Sequence, residues 1–307
     1  MLPKKWLNKI YNQKLFKLFI PKKFGGLQLS FSEGLQQMFN AATFNGSYGW
    51  CINLGAGAGY FCGCFEEQTA EKIFRADNAV IAGSGSVNAK AVYTNYGFIL
   101  DGYWQKCSGA LHATTFTVNA SLPDESICSF ALNPKDVLLI KENSMFGLKA
   151  TSSFAIEAKQ VFVPNEFSFQ IGKLKSFTDY QVYHIPFDVF ARFCMAATYL
   201  GIVQCFLNHT TEFLNEKKLM EPLLYEEIQE SLKNYLETLL FKAENATLIN
   251  QKEKIDFENF INTSTNYFYN NCNILARHIG MPTFDETKII HWAWRDVVMA
   301  SQHFLLK

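Results

Sequence analysis

Arginine is scarce in this chain, with four among 307 residues, and 28 Lys plus Arg balance 28 Asp plus Glu. With no charge excess and no basic patch beyond the N-terminal lysines, the sequence argues against nucleic-acid binding. No CxxC pair occurs, and Cys62/Cys64 has no second pair at zinc-finger spacing, so no metal site is expected. The eight cysteines sit mostly in apolar runs such as FCMAATYLGIVQC and read as buried, reduced thiols of a cytoplasmic protein. No stretch approaches roughly eighteen uncharged apolar residues, which argues against a membrane span. The basic, amphipathic N-terminus lacks the apolar core and cleavage site of a signal peptide. Internal repeats and low-complexity tracts are missing as well. GAGAG at 55–59 lacks the Lys-Ser/Thr of a phosphate loop and lies in a helical zone. The adjacent pairs Glu66–Glu67 and Glu226–Glu227 cannot act as paired acid and base, because neighbouring helix residues do not face each other.

What is present is a globular composition: 49% hydrophobic and 15% aromatic, which excludes disorder. The length allows one to three domains. Three zones follow from the periodicity. Residues 1–76 read as helical. Trp6, Ile10, Leu15 and Phe19 form a stripe broken at Pro21 and Gly25–Gly26, and Ser30-x-x-Glu33 is a capping box for the next helix. Glycine-rich GSYGWCINLGAGAGYFCGC suits a closely packed helical core, and EEQTAEKIFRAD a short helix. Residues 77–166 turn to short alternating runs, from NAVIAGSGS and AKAVYT to SFAIEAKQVFVP. These predict an all-β module of about seven strands. Residues 167–307 return to helical periodicity. Phe187–Leu214, Tyr225–Ile249, Phe257–Ile279 and Phe284–Leu306 predict an antiparallel four-helix bundle, with breaks at Glu221–Pro222 and Gly280–Met281–Pro282. The expected class is a multi-domain α+β protein: N-terminal helices, a central β-barrel and a C-terminal bundle.

That order, together with five short motifs, resembles the acyl-CoA dehydrogenase superfamily, and more closely its flavin-dependent, two-component monooxygenase branch. The motifs are LFKLFIPKKFGGLQLSF, NGSYGWCI, LDGYWQKCSGALHA, FGLKATSSFAIEAKQVFVP and WAWRDVVMASQH, in family order across nearly the whole chain. The resemblance implies a flavin lying between the β-module and the C-terminal helices. By motif position Ser108 would face the flavin N5, and Cys107, directly before it at the strand end, would contact the cofactor too. The backbone at Gly83, Ser84 and Ser86 would line the pyrimidine side, where small residues allow close approach.

The sequence departs from the family at informative places. Dehydrogenases usually carry a catalytic glutamate just after the Arg-Asp motif, but RDVVMASQHFLLK has none after Asp296. His303 fits the monooxygenase version, in which a histidine manages protons near the flavin. On one helix the seven residues from Asp296 would bring His303 to roughly the same face, about two turns on. An ordinary imidazole pKa of ~6.5 would suit exchange near neutrality. Lys217 and Lys218 in EKKLMEP stand where an arginine usually meets the dinucleotide, which leaves both FAD and FMN open. Relative to the family the first helix is truncated, and the chain ends soon after His303. The expected function is a monooxygenase-type oxidoreductase using reduced flavin and oxygen on an apolar or aromatic substrate. It would have a separate flavin reductase and assemble as a homotetramer. The alternatives are an acyl-CoA dehydrogenase acting on CH–CH groups and a non-catalytic scaffold of the same fold. Arg295–Asp296 reads as a structural ion pair, Trp50 and Tyr48 as packing, and His112 as a surface residue at a strand edge.

Overall fold

The computed structural model describes residues 1–142, 145–218 and 222–307. Its elements follow the expected order of helices, strands, helices, but compactness divides the chain differently. One unit gathers Met1–Ser30, Leu54–Ser144 and Thr151–Phe187, and the other Phe31–Asn53, Met145–Ala150 and Asp188–Lys307.

In the first unit α1 (Lys4–Asn12) stops earlier than its apolar stripe suggests. Lys14 takes a left-handed φ of 55°, and the chain continues as a 3-10 turn, Leu15–Lys17. The apolar residues that follow, Phe16, Leu18 and Phe19, are buried all the same. Buried tyrosines tie this segment to the end of the unit. Tyr183 Oη donates to the Phe19 carbonyl at 2.8 Å and Tyr60 Oη to that of Ile185 at 2.8 Å, so each large ring is buried with its hydroxyl satisfied.

Among the described residues seven strands make the sheet: β1 (Ile81–Tyr93), β2 (Gly97–Cys107), β3 (Thr115–Ser121), β4 (Ile127–Leu132), β5 (Leu138–Lys141), β6 (Phe154–Pro164) and β7 (Ser168–Phe169). Their order is β5-β6-β2-β1-β3-β4-β7. NAVIAGSGS and AKAVYT, expected as two strands, are one long bulged strand, and the brief β7 restores the number. Between β2 and β4 lie three strand spacings, ~14 Å in a flat sheet at ~4.8 Å each. Yet Phe98 of β2 and Phe130 of β4 touch, with centroids 5.0 Å apart. The sheet therefore rolls around one core, which includes Trp104, Phe116 and Ile156. The barrel is open at its seam, since β5 and β7 are the two ends of the strand order.

The second unit is helical. It contains α2 (Phe31–Phe44), which starts directly after Ser30, and the first part of α3 (Gly46–Gly57). The helix α4 (Glu67–Phe74) belongs to the first unit. The bundle consists of α5 (Phe187–Lys217), α6 (Leu223–Ala243), α7 (Gln251–Ile279) and α8 (Ile289–Ala300). Contrary to the sequence expectation, α5 is long and apolar enough to cross a membrane by length and composition. Most of that apolar stretch is buried inside the fold, as in a core helix. A reciprocal capping box starts α7: Asn250 Oδ1 accepts from the Glu253 amide at 3.0 Å, and Glu253 Oε2 from the Asn250 amide at 2.9 Å. Gly280, at φ 80°, ends it. Of the other expected break, Pro222 precedes α6 and Glu221 lies outside the described residues.

Arg295 and Asp296 are both buried, but they bond other groups rather than each other, and Arg295 Nη1 reaches Glu286 Oε1 at 3.5 Å and His291 Nε2 at 3.1 Å. Asp296 Oδ1 accepts from the Leu148 amide at 2.6 Å, and Arg295 Nε donates to the Phe146 carbonyl at 2.5 Å. The guanidinium lies over the rings of Phe146 and Trp292, 4.4 and 4.9 Å from their centroids. Burial pushes the Asp296 carboxyl up to about 7, against the Leu148 amide, Arg295 and the Ser47 amide, which favour its charged form.

Candidate functional site

The antiparallel register of β2 and β6 sets Cys107 opposite Phe154. One residue beyond that pair, Ser108 leaves β2 just where Ser153 enters β6, and their hydroxyl oxygens are 2.8 Å apart. Ser153 Oγ in turn lies 2.9 Å from Thr151 Oγ1. The Gly109 amide donates to the Thr151 carbonyl at 2.7 Å, clamping the two segments, and Gly109 holds φ +85°, which a glycine adopts without strain. The result is a half-buried hydroxyl at a strand end, backed by two more.

Polar capacity remains unspent around this turn. Ser152 Oγ and His112 Nδ1 are buried without a hydrogen-bond partner. His112 is not the surface residue expected. Its ring stacks on Phe16, 5.5 Å between centroids and 16° between planes. Burial pushes its imidazole down to about 4, so it is neutral at physiological pH.

Ala82, directly before the Gly83–Ser86 stretch, lies beside the turn. A Cβ on Gly109 would come within 3.8 Å of Ala82 Cβ. In the β1–β3 register Gly83 pairs with Thr117 and Val87 with Asn119, so four steps on one strand match two on the other. The extra residues form a bulge, which takes backbone groups of Ser84–Ser86 out of the regular ladder. The Ser84 hydroxyl accepts from the Ser86 amide at 3.3 Å. Gly85 is open, with nothing within 4 Å of a Cβ there. At Gly83 the structure corrects the sequence argument, because a Cβ would meet the Thr117 carbonyl oxygen at 1.9 Å. Strand packing already demands that glycine. Cys107 is corrected as well: its side chain is in the barrel core, burial pushes the thiol up to about 12, and its backbone pairs with Phe154 of β6.

His303 lies in the helical unit, and the two-turn argument for it fails. The helix α8 ends at Ala300, and His303 is extended, with φ −68° and ψ 135°. Its Nδ1 accepts from the Leu305 amide at 3.4 Å and caps a final 3-10 turn. Its ring meets Trp50 edge-on at 5.6 Å. Burial pushes the imidazole down to about 4 instead of leaving it near 6.5, so it is neutral at pH 7, with its acceptor nitrogen on the Leu305 amide.

Sequence reasoning missed Thr151, Ser152 and Ser153. The signal was three consecutive hydroxyl residues before a strand, inside a stretch used only for its resemblance. An amide-bearing bulge, a strand-end hydroxyl and orphaned polar atoms therefore lie at one end of the rolled sheet, groups whose chemistry fits the polar edge of a flat ring.

No family model matches the chain. Its fold is that of the acyl-CoA dehydrogenases and of the flavin monooxygenases that share it. Butyryl-CoA dehydrogenase of Megasphaera elsdenii superposes with a TM-score of 0.81, at 12% identity, over 99% of this chain and 86% of that one. XiaF from Streptomyces, solved with FADH2, superposes at 0.81 and 17% identity, over 100% and 85%.

In sequence, the relatives are flavin-dependent monooxygenases. The oxygenase subunit HsaA of Mycobacterium tuberculosis is 26% identical over 168 residues, 53% of this chain and 43% of that protein. Its crystal structure superposes with a TM-score of 0.89 at 18% identity, over 100% and 87%. Indole-3-acetate monooxygenase of Pseudomonas putida is 26% identical over 198 residues, 63% and 51%. The chain spans about half the length of the curated relatives it matches.

Proposed function

We propose that this protein is a flavin-dependent oxidoreductase of monooxygenase type, acting on an apolar or aromatic small molecule. The observation that carries the reading is the junction of two features at one end of the sheet. The amide-bearing bulge at Gly83–Ser86 follows Ala82, which neighbours the Ser108–Gly109 turn, within a fold shared with flavin enzymes. The backbone at Ser84–Ser86 would hold the polar edge of the ring, and Ser108 would meet its N5 side. Bound and reduced, the flavin would supply the electrons that activate oxygen. His303, neutral at pH 7, would manage a proton during turnover, its Nδ1 releasing the Leu305 amide when it takes that proton. FAD and FMN both suit these contacts, and FADH2 in XiaF supports the reduced form as the ligand. The relative HsaA is named as an oxygenase subunit, which supports a separate reductase as partner.

A dehydrogenase acting on CH–CH groups is the second reading, favoured by the fold shared with butyryl-CoA dehydrogenase. The segment after Asp296, VVMASQHFLLK, holds no carboxylate to take an α-proton, so we rank it lower. A scaffold without flavin is the third. Exposed apolar side chains in the bundle, including Phe241, Ile274 and Trp292, support the proposed homotetramer, and the buried thiols support a cytoplasmic location. Titration with FAD and FMN, oxidised and reduced, decides between enzyme and scaffold. Oxygen uptake with a flavin reductase, NADH and a panel of phenols and indoles then decides the chemistry. A protein that takes up no flavin sinks the proposal.

A further inference from the structure

We infer that Arg192 is a positioning residue for His303: it pins Leu305, whose amide holds the imidazole as the tautomer with its hydrogen on Nε2, so that His303 meets a ligand oxygen as a hydrogen-bond donor. This rests on the reading that His303 serves the flavin site.

Arg192 is a costly residue for its place. It stands on α5 directly before Phe193–Val203, a run in which every residue is buried, and its own side chain is 17% exposed. A guanidinium taken this far from water must recover its lost hydration from the groups around it. Two such groups are in reach. Nη1 donates to the Leu305 carbonyl at 3.0 Å, across 113 residues of chain. Glu258 Oε1 of α7 lies 3.2 Å from Nε, close enough for an ion pair but out of line for a hydrogen bond. The carboxylate therefore balances the charge, and the directed bond goes to Leu305.

Leu305 is also the residue that meets His303. Its amide donates to Nδ1 at 3.4 Å, and the Leu306 amide closes the turn on the His303 carbonyl at 2.9 Å. A bond of 3.4 Å is long, so it survives only where its donor is kept in place. The Arg192 bond to the carbonyl of the same residue keeps it there. A neutral imidazole has one N–H and one acceptor nitrogen. A hydrogen on Nδ1 would face the Leu305 N–H head-on, so the hydrogen is on Nε2. Turned over, the ring would present a carbon to that amide, and it would also have to break its edge contact with Trp50. Nε2 makes no hydrogen bond among the described residues, which leaves its hydrogen for a ligand oxygen. His303 thus rests as a donor and takes up a proton only when Nδ1 leaves Leu305. By holding Leu305, Arg192 opposes that release.

Nitrogen-15 NMR of the intact, histidine-labelled protein at pH 7, where the imidazole is neutral, reads the tautomer directly. The His303 signals are those lost in His303→Asn. The parent should carry a hydrogen on Nε2 and none on Nδ1. Arg192→Met, which keeps an apolar stem and loses the donor, should lower the ratio of Nε2–H to Nδ1–H forms about fivefold, the worth of one ordinary hydrogen bond. Arg192→Lys, which can still donate to the Leu305 carbonyl, should restore the ratio. Affinity for FAD and FMN should stay that of the parent in both variants, because Arg192 acts on His303 and not on the cofactor. A hydrogen on Nδ1 in the parent overturns the proposal before any variant is made. An unchanged ratio in Arg192→Met overturns it too, as does a ratio in Arg192→Lys no better than in Arg192→Met. Loss of flavin affinity in Arg192→Met would make the arginine a general support of the fold and overturn the specific role. In each of these cases a parent that binds FAD or FMN leaves the flavin reading standing. A parent that binds neither removes the site that His303 would serve, and the proposal with it.

Discussion

At Ser108 a single oxygen has two duties, one toward Ser153 and one toward whatever meets the strand end. A bulky replacement tests the second. Ser108→Leu should weaken flavin binding by about tenfold or more, because the ring could no longer approach the turn, while the far-ultraviolet circular dichroism stays that of the parent. Equal affinity by fluorescence titration would remove Ser108 from the site. At His303 the expected loss is catalytic. His303→Asn should take up flavin normally and lose roughly 10²–10⁴-fold in the proton-transfer step. The pH profile carries its own signature. Because burial holds the imidazole at about 4, the working neutral form should persist well below 6.5, and the rate should fall only as pH drops through about 4. A break near 6.5 in the pH–rate curve would mean that another group carries the proton.

Among the elements, β1 holds most of the specific design. Its alternation should bury every second residue, but between Gly83 and Val87 the bulge breaks that pattern and leaves residues 85–88 exposed. The two inner glycines have different reasons to be there. A Cβ at Gly83 would sit 1.9 Å from the Thr117 carbonyl oxygen, and at Gly85 it would meet nothing within 4 Å. Gly83→Ala should therefore destabilise the protein by ~1–3 kcal/mol as β1 and β3 are forced apart. Gly85→Ala should stay within about 0.5 kcal/mol of the parent. Urea unfolding of the two variants side by side checks the contrast, and equal stabilities would show that the strand relaxes freely at Gly83.

For the whole molecule, three buried titrating groups shape the response to acid, and they oppose one another. His112 and His303 are pushed from 6.5 to about 4, so between those values the unfolded chain holds protons that the folded chain refuses, and stability falls with acidification. Asp296 is pushed from 3.8 to about 7, so over that range the folded chain holds a proton that the unfolded chain lacks, and acidification adds stability. Asp296→Asn removes the offset and leaves the other titrating groups in place. Its unfolding free energy should fall more steeply between about pH 6.5 and 4 than the parent's, whatever the difference at neutrality. Parallel profiles from urea unfolding at stepped pH would show that Asp296 titrates normally.

The sequence alone determined the order of the elements, because periodicity is local. Side chains alternate along a strand and recur every ~3.6 residues along a helix whatever lies far away. The shift at Ile81 and the return at Phe187 were therefore legible, as were Gly280 as a stop and the strand end at Ser108. Where α1 stops was not legible, since the buried side chains from Phe16 to Phe19 keep the apolar spacing of a helix after Lys14 has ended it. Nor was the true setting of His303, because nothing local marks Ala300 as the end of α8 or tells how deeply the imidazole is buried. Only tertiary structure rolled the sheet until Phe98 met Phe130, turned Cys107 into the core and brought Ser153 against Ser108 across 45 residues of chain. Burial and long-range hydrogen bonds depend on which surfaces meet, and those contacts, unlike periodicity, exist only once the chain has closed on itself.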